Sequence, residues 1–261
     1  MTSVIRKLWR ALFDYDPSFC DMYKDAAAHA AGEEYLGHIR SFIAQRFGDQ
    51  RVSILDAGCQ AGRLLIPLAE DGHRVTGLDR SLFALRRARR NAKAHGVSLS
   101  LHRGDLTNVR QWIRPSSFDV VICAEVLYLC RNYQQILRHL RDSMKPDGLL
   151  FVSHRPTLYY LACALQHSQP DYVPSLVTQT EGSSPDGEYH NWQTPEQLSE
   201  LYRSLGLRQL GCHSIRAWQA ALDLSQVAHA EAKRLLESVR TADSAYRIPT
   251  YFLVTAQRSA Y

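Results

Sequence analysis

Short apolar strands that end on glycines or acids, separated by amphipathic helical stretches, predict an α/β fold with a doubly wound, mainly parallel sheet. Three observations carry this expectation. The run Val52-Ser-Ile-Leu-Asp-Ala-Gly-Cys-Gln-Ala-Gly-Arg-Leu64 reads as a strand buried on both faces, a Gly-punctuated turn and the start of a helix. A second strand, Arg74-Val-Thr-Gly-Leu78, is closed by Asp79. A further strand, Phe118-Asp-Val-Val-Ile-Cys-Ala-Glu125, also ends in an acid.

The loop after the first strand suits a nucleotide-like ligand. Gly58 and Gly62 carry no Cβ, so a ligand can lie against the main chain. Asp79 lies about twenty residues on, where doubly wound folds set a carboxylate against ribose hydroxyls. Its other reading is as an N-cap for the helix that starts near Ser81. Between the second strand and Phe118, the alternating stretch Val97-Ser-Leu-Ser-Leu-His leads into Gly104-Asp105-Leu106.

These residues together resemble the class I S-adenosylmethionine-dependent methyltransferases of the type 11/12 kind. The matching segments are Leu55-Asp-Ala-Gly-Cys-Gln-Ala-Gly62, Gly77-Leu-Asp79, Gly104-Asp105, Phe118 to Leu127 and Lys145-Pro-Asp-Gly-Leu-Leu-Phe-Val152, over roughly residues 35 to 155. A weaker match runs from Thr194-Pro-Glu-Gln-Leu198 through Leu205-Gly206-Leu207. The resemblance implies a Rossmann-like, seven-stranded sheet with an antiparallel C-terminal edge, and S-adenosylmethionine as cofactor. It places Asp56, Gly58, Cys59, Gln60, Gly62, Asp79, Arg80, Asp105, Leu106 and Glu125 at that cofactor. Asp56 would serve its amino-acid end, Asp79 the ribose, Asp105 the adenine amine, and Leu106 the adenine face. Glu125 stays open between cofactor, substrate and a capping role. One departure is visible: Gln60 stands where the family has its middle glycine.

The remaining elements follow in order. Residues 1–47 read as a helical cap, with Tyr35, Leu36, Ile39, Phe42 and Ile43 at helical spacing. Tyr15 and Tyr23 are candidates to close over the cofactor. Residues 48–155 form the cofactor-binding core, and Tyr159 to Gln166 a helix. Residues 166–193 read as a hairpin insertion near the active-site mouth, turning at Ser-Ser-Pro-Asp-Gly187. Thr194-Pro-Glu-Gln is a helix start with a capping box. The strand Leu207 to Ile215, a helix over 218–240 and the strand Thr250 to Ala256 complete one methyltransferase domain of 261 residues.

A methyl transfer to oxygen or nitrogen of a small-molecule acceptor is the expected reaction. His154, directly after the fifth strand, and His190, between Tyr189 and Asn191, are the candidate bases, since a neutral imidazole abstracts protons near pH 7. Tyr128 and Trp192 are candidate substrate contacts. No H-E-x-x-H or C-x-x-C spacing points to a metal, and the six cysteines read as buried thiols of a reducing, cytoplasmic compartment. The net charge of +5 gathers in Arg86-Arg-Ala-Arg-Arg-Asn-Ala-Lys93, whose basic residues spread around a helix without interleaved aromatics. That pattern argues for a solvated face and against nucleic acid. No run reaches the ~20 apolar residues of a membrane span. The basic, amphipathic stretch Met1 to Phe13 lacks a signal-peptide core, and nothing sets an oligomeric state. An RNA methyltransferase, a nicotinamide-dependent dehydrogenase and a non-catalytic cofactor-binding protein are the competing readings. The dehydrogenase needs a G-x-G-x-x-G spacing that Gly58 and Gly62 do not provide.

Overall fold

The computed structural model describes residues 23–242 and 245–259. Tyr15 and the amphipathic stretch at the start of the chain lie outside the described residues. The chain divides into two compact units: residues 1–123 with 135–150, and residues 124–134 with 151–261.

The first unit opens with helix α1, Ala26–Phe47, whose first turn is capped by the Asp25 carboxylate accepting from the Ala28 amide. The spacing read from sequence is the buried face: Tyr35, Leu36, Ile39 and Ile43 are almost wholly covered. Strand β1, Ser53–Ala57, leads through the glycine loop to helix α2, Leu65–Glu70. Strand β2, Arg74–Asp79, helix α3, Leu82–Ala94, and strand β3, Ser100–Arg103, follow. A kinked 3₁₀ segment, Leu106–Gln111, precedes strand β4, Phe118–Cys123. Strand β1 pairs in parallel with both β2 and β4, with Asp56 level with Gly77 on one side and Ile122 on the other. This explains why β1 is apolar on both faces. On α3, Ala84, Leu85, Ala88 and Ala92 turn inward, whereas Arg86, Arg89, Arg90 and Lys93 are exposed. Opposite the loop end of β1, the Asp119 carboxylate accepts from the Ser53 amide and hydroxyl and from Lys145 Nζ, which together hold its pKa below the usual value despite burial.

Helix α4, Tyr133–Ser143, and strand β5, Met144–His154, run from one unit into the other. The second unit continues with helices α5, Thr157–Gln166, and α6, Val173–Thr178. A two-stranded hairpin follows, β6, Glu181–Ser183, with β7, Tyr189–Asn191. The hairpin turns where the Ser-Ser-Pro-Asp-Gly signal predicts, with Gly187 at φ +77°. The stretch ahead of it, expected as part of the hairpin insertion over 166–193, is instead the short helix α6. Helix α7, Pro195–Ser204, carries the predicted capping box: Thr194 Oγ1 accepts from the Gln197 amide, and Gln197 Oε1 from the Thr194 amide.

Strand β8, Leu207–Ala220, helix α8, Ala230–Glu237, and strand β9, Tyr246–Arg258, end the described chain. Here the sequence reading needs correction. The helix expected over 218–240 is confined to α8, because Trp218, Gln219 and Ala220 belong to β8 and pair with Ile248, Arg247 and Tyr246 of β9. The core of this unit is built from Leu161, Leu176, Trp192, Leu236 and Ile248, all fully or nearly fully buried.

The seven-stranded sheet runs β3-β2-β1-β4-β5-β9-β8, with β8 and β9 forming the expected antiparallel edge. Among the described residues no helix is long and apolar enough to cross a membrane.

Candidate functional site

In the first unit, the chain leaving β1 is tied to the end of β2. The Gly58 amide donates to the Leu78 carbonyl at 2.7 Å, and the Cys59 amide donates to the same oxygen at 3.2 Å. A Cβ on Gly77 would lie 2.6 Å from Cys59 Sγ, so β2 must be bare where the loop crosses it. Gly62 has φ +90°, and a Cβ there would meet Ile66 Cδ1 at 2.9 Å. Gln60 keeps the left-handed backbone its position demands, at φ +45°, although it is not glycine. Its amide donates to Asp79 Oδ2 at 2.9 Å, while Asp79 Oδ1 accepts from the Ser81 amide at 2.8 Å. Asp79 is therefore not the helix cap: Ser81 caps α3, and Asp79 locks the glycine loop to the β2 end. A carboxylate has about four lone-pair sites, so holding two amides is compatible with accepting from a ribose diol. The bare loop and this carboxylate fit an adenosyl cofactor.

A β-branched residue cannot adopt the Gln60 backbone without strain, and such strain costs of order 1–3 kcal/mol. Gln60→Val is expected to lower the unfolding free energy by about that much in urea titrations, whereas Gln60→Gly is expected to stay near the parent.

Asp56, 3% exposed at the end of β1, has its pKa pushed up to about 7 by desolvation, partly opposed by the positive charge of Arg63 and reinforced by Asp79. Arg63 is itself buried. It donates to the Ala28 carbonyl at 3.1 Å and lies 5.7 Å from the Tyr35 ring centroid, so it joins the glycine loop to α1. Arg80 is exposed, and its carbonyl accepts from Arg103 Nε. The Asp105 side chain, exposed, caps its own turn by accepting from the Thr107 amide, and Leu106 behind it is buried. A Cβ on Gly104 would collide with the Trp112 indole, a half-exposed ring that the sequence reading did not single out. Tyr23, proposed to close over the cofactor, bonds His95 at the end of α3, and His95 in turn pairs with Glu70 at the end of α2.

The second unit holds the other predicted residues. Glu125, just past β4, takes φ +61°, a conformation uncommon for a non-glycine residue, and its amide donates to Ser153 Oγ. Tyr128 is half-buried, its ring parallel to that of His190 with centroids 6.2 Å apart. His190 also faces Tyr160 at 5.4 Å, its Nδ1 has no hydrogen-bond partner, and burial lowers its pKa, so the imidazole is neutral near pH 7. His154 differs. It is fully buried, shares a 2.9 Å hydrogen bond with the Tyr202 hydroxyl, and is driven by desolvation to a pKa of about 4. Trp192, expected at the substrate, is likewise wholly inside, its indole N–H donating to the Leu176 and Gln179 carbonyls.

The sequence reading missed Arg155. This residue follows His154 and is 8% exposed. Its guanidinium carbon lies 4.1 Å from the Tyr159 and Tyr251 ring centroids and 4.6 Å from that of Tyr128. Tyr159 is near in sequence, but the cluster needs Tyr128 and Tyr251, which no local pattern brings together with it.

Residues 49–205 match the model of a family described as a methyltransferase domain. The chain belongs to that family. This methyltransferase-domain chain is 30% identical over 126 residues to a ubiquinone biosynthesis O-methyltransferase of Rickettsia canadensis (strain McKiel), covering 48% of this chain and 52% of the relative. It is 35% identical over 101 residues to the protein of the same name in Sodalis glossinidius, covering 39% and 40%. The chain thus spans about half the length of the curated relatives it matches. Solved structures share the fold at low identity. The 1,6-didemethyltoxoflavin-N1-methyltransferase of Burkholderia thailandensis, solved with bound 1,6-didemethyltoxoflavin and S-adenosylhomocysteine, has a TM-score of 0.60 at 14% identity, covering 99% of this chain and 88% of that one. An S-adenosylmethionine-dependent methyltransferase of Mesorhizobium loti has a TM-score of 0.57 at 18% identity, covering 88% and 98%.

Proposed function

We propose that the protein is a cytoplasmic enzyme that transfers a methyl group from S-adenosylmethionine to an oxygen or nitrogen of a small-molecule acceptor. The observation that carries this reading is the Asp79 carboxylate held against the glycine loop by the Gln60 and Ser81 amides. Asp79 receives the ribose hydroxyls, and Gly58, Cys59, Gln60 and Gly62 offer bare backbone beneath the cofactor. Asp56 takes the positive amino-acid end. Asp105 and Leu106 serve the adenine, with Arg80 beside the ribose acid. When bound, the cofactor supplies an electrophilic methyl on a sulfonium, already a good leaving group. The protein therefore contributes chiefly alignment and exclusion of water, and alignment alone supplies on the order of 7–11 kcal/mol.

His190 is the base of choice for an acceptor that must lose a proton. It is half-buried, neutral near pH 7 and unpartnered at Nδ1. His154, sealed inside and bonded to Tyr202, holds the last turn of α7 against the β5 end instead. Glu125 and Tyr128 are assigned to the acceptor.

Titration calorimetry with S-adenosylmethionine and S-adenosylhomocysteine tests the reading directly. Binding of both is expected, and Asp79→Ala should lose two charge-assisted hydrogen bonds worth roughly 1.5–3 kcal/mol each, weakening affinity about 100-fold or more. Absence of binding to the parent protein, or equal affinity in the folded variant, sinks the proposal.

A further inference from the structure

Arg155 is a buried cation without a buried anion. Its hydrogen-bond partners are neutral: Nη2 donates to the Tyr251 hydroxyl at 2.8 Å, Nη1 approaches the Thr250 carbonyl at 3.5 Å, the Tyr128 hydroxyl is a third partner, and Nε has none. No carboxylate among the described residues pairs with it. A desolvated charge is costly unless paired, and the three tyrosine faces around the guanidinium recover only part of that cost. A protein that keeps such a group unpaired gains from an anion that arrives later. The planar fork of a guanidinium matches a carboxylate in bidentate fashion.

The surroundings say what body that anion belongs to. Tyr128, Tyr159 and His190 are all partly exposed around the buried Arg155, and the parallel Tyr128 and His190 rings line the same cluster. Tyr160 and Tyr251 extend the aromatic wall. Flat rings favour a flat, conjugated partner. Arg155 follows β5, whereas the residues fitted to the cofactor lie at or just after the ends of β1, β2 and β3.

We propose that Arg155 is the carboxylate anchor of the acceptor site, and that the methyl acceptor is an aromatic or conjugated carboxylic acid. The assignment rests on the methyltransferase reading above, and it makes Arg155 a specificity-determining residue.

The test uses benzoate and 2-hydroxybenzoate against their amides and methyl esters, with inorganic phosphate and phenyl phosphate as further arms. Binding is measured by calorimetry and by thermal shift on the full chain with S-adenosylhomocysteine present. The parent protein is expected to bind the carboxylates at least tenfold more tightly than the neutral analogues. Arg155→Met is expected to erase that preference while leaving S-adenosylhomocysteine affinity unchanged. The parent comparison needs no variant, so a misfolded Arg155→Met does not remove the test. No carboxylate preference in the parent overturns the proposal. So does a preference that survives in Arg155→Met, which leaves Arg155 a packing residue. A tenfold loss of S-adenosylhomocysteine affinity in Arg155→Met puts the arginine on the cofactor's own carboxylate, and stronger binding of the phosphates puts it on a phosphate ester; either result also overturns it. Failure of the parent to bind either cofactor form is a different result, since it removes the methyltransferase reading itself.

Discussion

Asp56→Asn is expected to make the free protein more stable and the cofactor bind more weakly. The Asp56 pKa, about 7 in the fold against 3.8 in the unfolded chain, is raised by desolvation, with Arg63 opposing and Asp79 adding. The native state therefore binds the more protons between those values. Stability from this residue is fully present below pH 4 and falls as pH rises to 7. Above pH 7 the ionised carboxylate costs up to about 4 kcal/mol at 1.36 kcal/mol per pH unit. An asparagine carries no such charge. At pH 8 its melting temperature should exceed the parent's by several degrees, whereas at pH 4 the two should coincide. Equal gaps at both pH values in thermal scans would remove the argument.

The same carboxylate gives the binding prediction. A cationic amino-acid end favours ionised Asp56, so parent affinity for S-adenosylmethionine should rise between pH 6 and pH 8 as a proton is released. In Asp56→Asn the affinity should be lower by tenfold or more at pH 8 and flat across that range. Calorimetry in two buffers of different ionisation enthalpy reads the released proton. The two results together would place Asp56 for function at a cost in stability.

His190 carries the other large effect. For a hydroxyl acceptor, His190→Asn should lower kcat roughly 10²–10⁴-fold, the usual contribution of a positioned base. Cofactor affinity should not change, because His190 is assigned only to the acceptor. Burial, aided by the Arg155 charge, lowers the imidazole pKa, and Glu188 only partly opposes it. The acid limb of the parent rate profile should therefore fall below the ordinary histidine value of about 6.5, with activity lost as pH drops through it. The variant should lack that limb. A full rate in His190→Asn with the limb intact would assign the proton to another group or to water.

The parts legible in the sequence were those whose cause is local. Thr194 and Gln197 form their capping box within one turn, so four letters suffice to predict it. The Gly187 turn and the apolar β1 strand are equally short-range. Asp79 was singled out by its distance from the glycines, but its lock on the Gln60 amide had no signal in the spacing. Where long-range pairing intervenes, local pattern misleads. Trp218 to Ala220 has helical spacing, but backbone pairing with Tyr246 to Ile248 wins and extends β8.

The two histidines show the same limit at the level of chemistry. In the string they are equivalent candidates, each near an aromatic residue. Only burial separates them, sealing His154 at a pKa of about 4 and leaving His190 half-open with an unpartnered nitrogen.

What the amino-acid sequence determined alone was the α/β class, the order of strands and acids, and the cofactor chemistry they imply. These depend on residue type and spacing along one strand–loop–helix unit. The tertiary structure decided which charged groups lose water. It gave Asp56 its raised pKa and set Arg155 among tyrosines up to 96 residues away. Desolvation is a property of what surrounds a group in space, and no run of neighbouring letters encodes it.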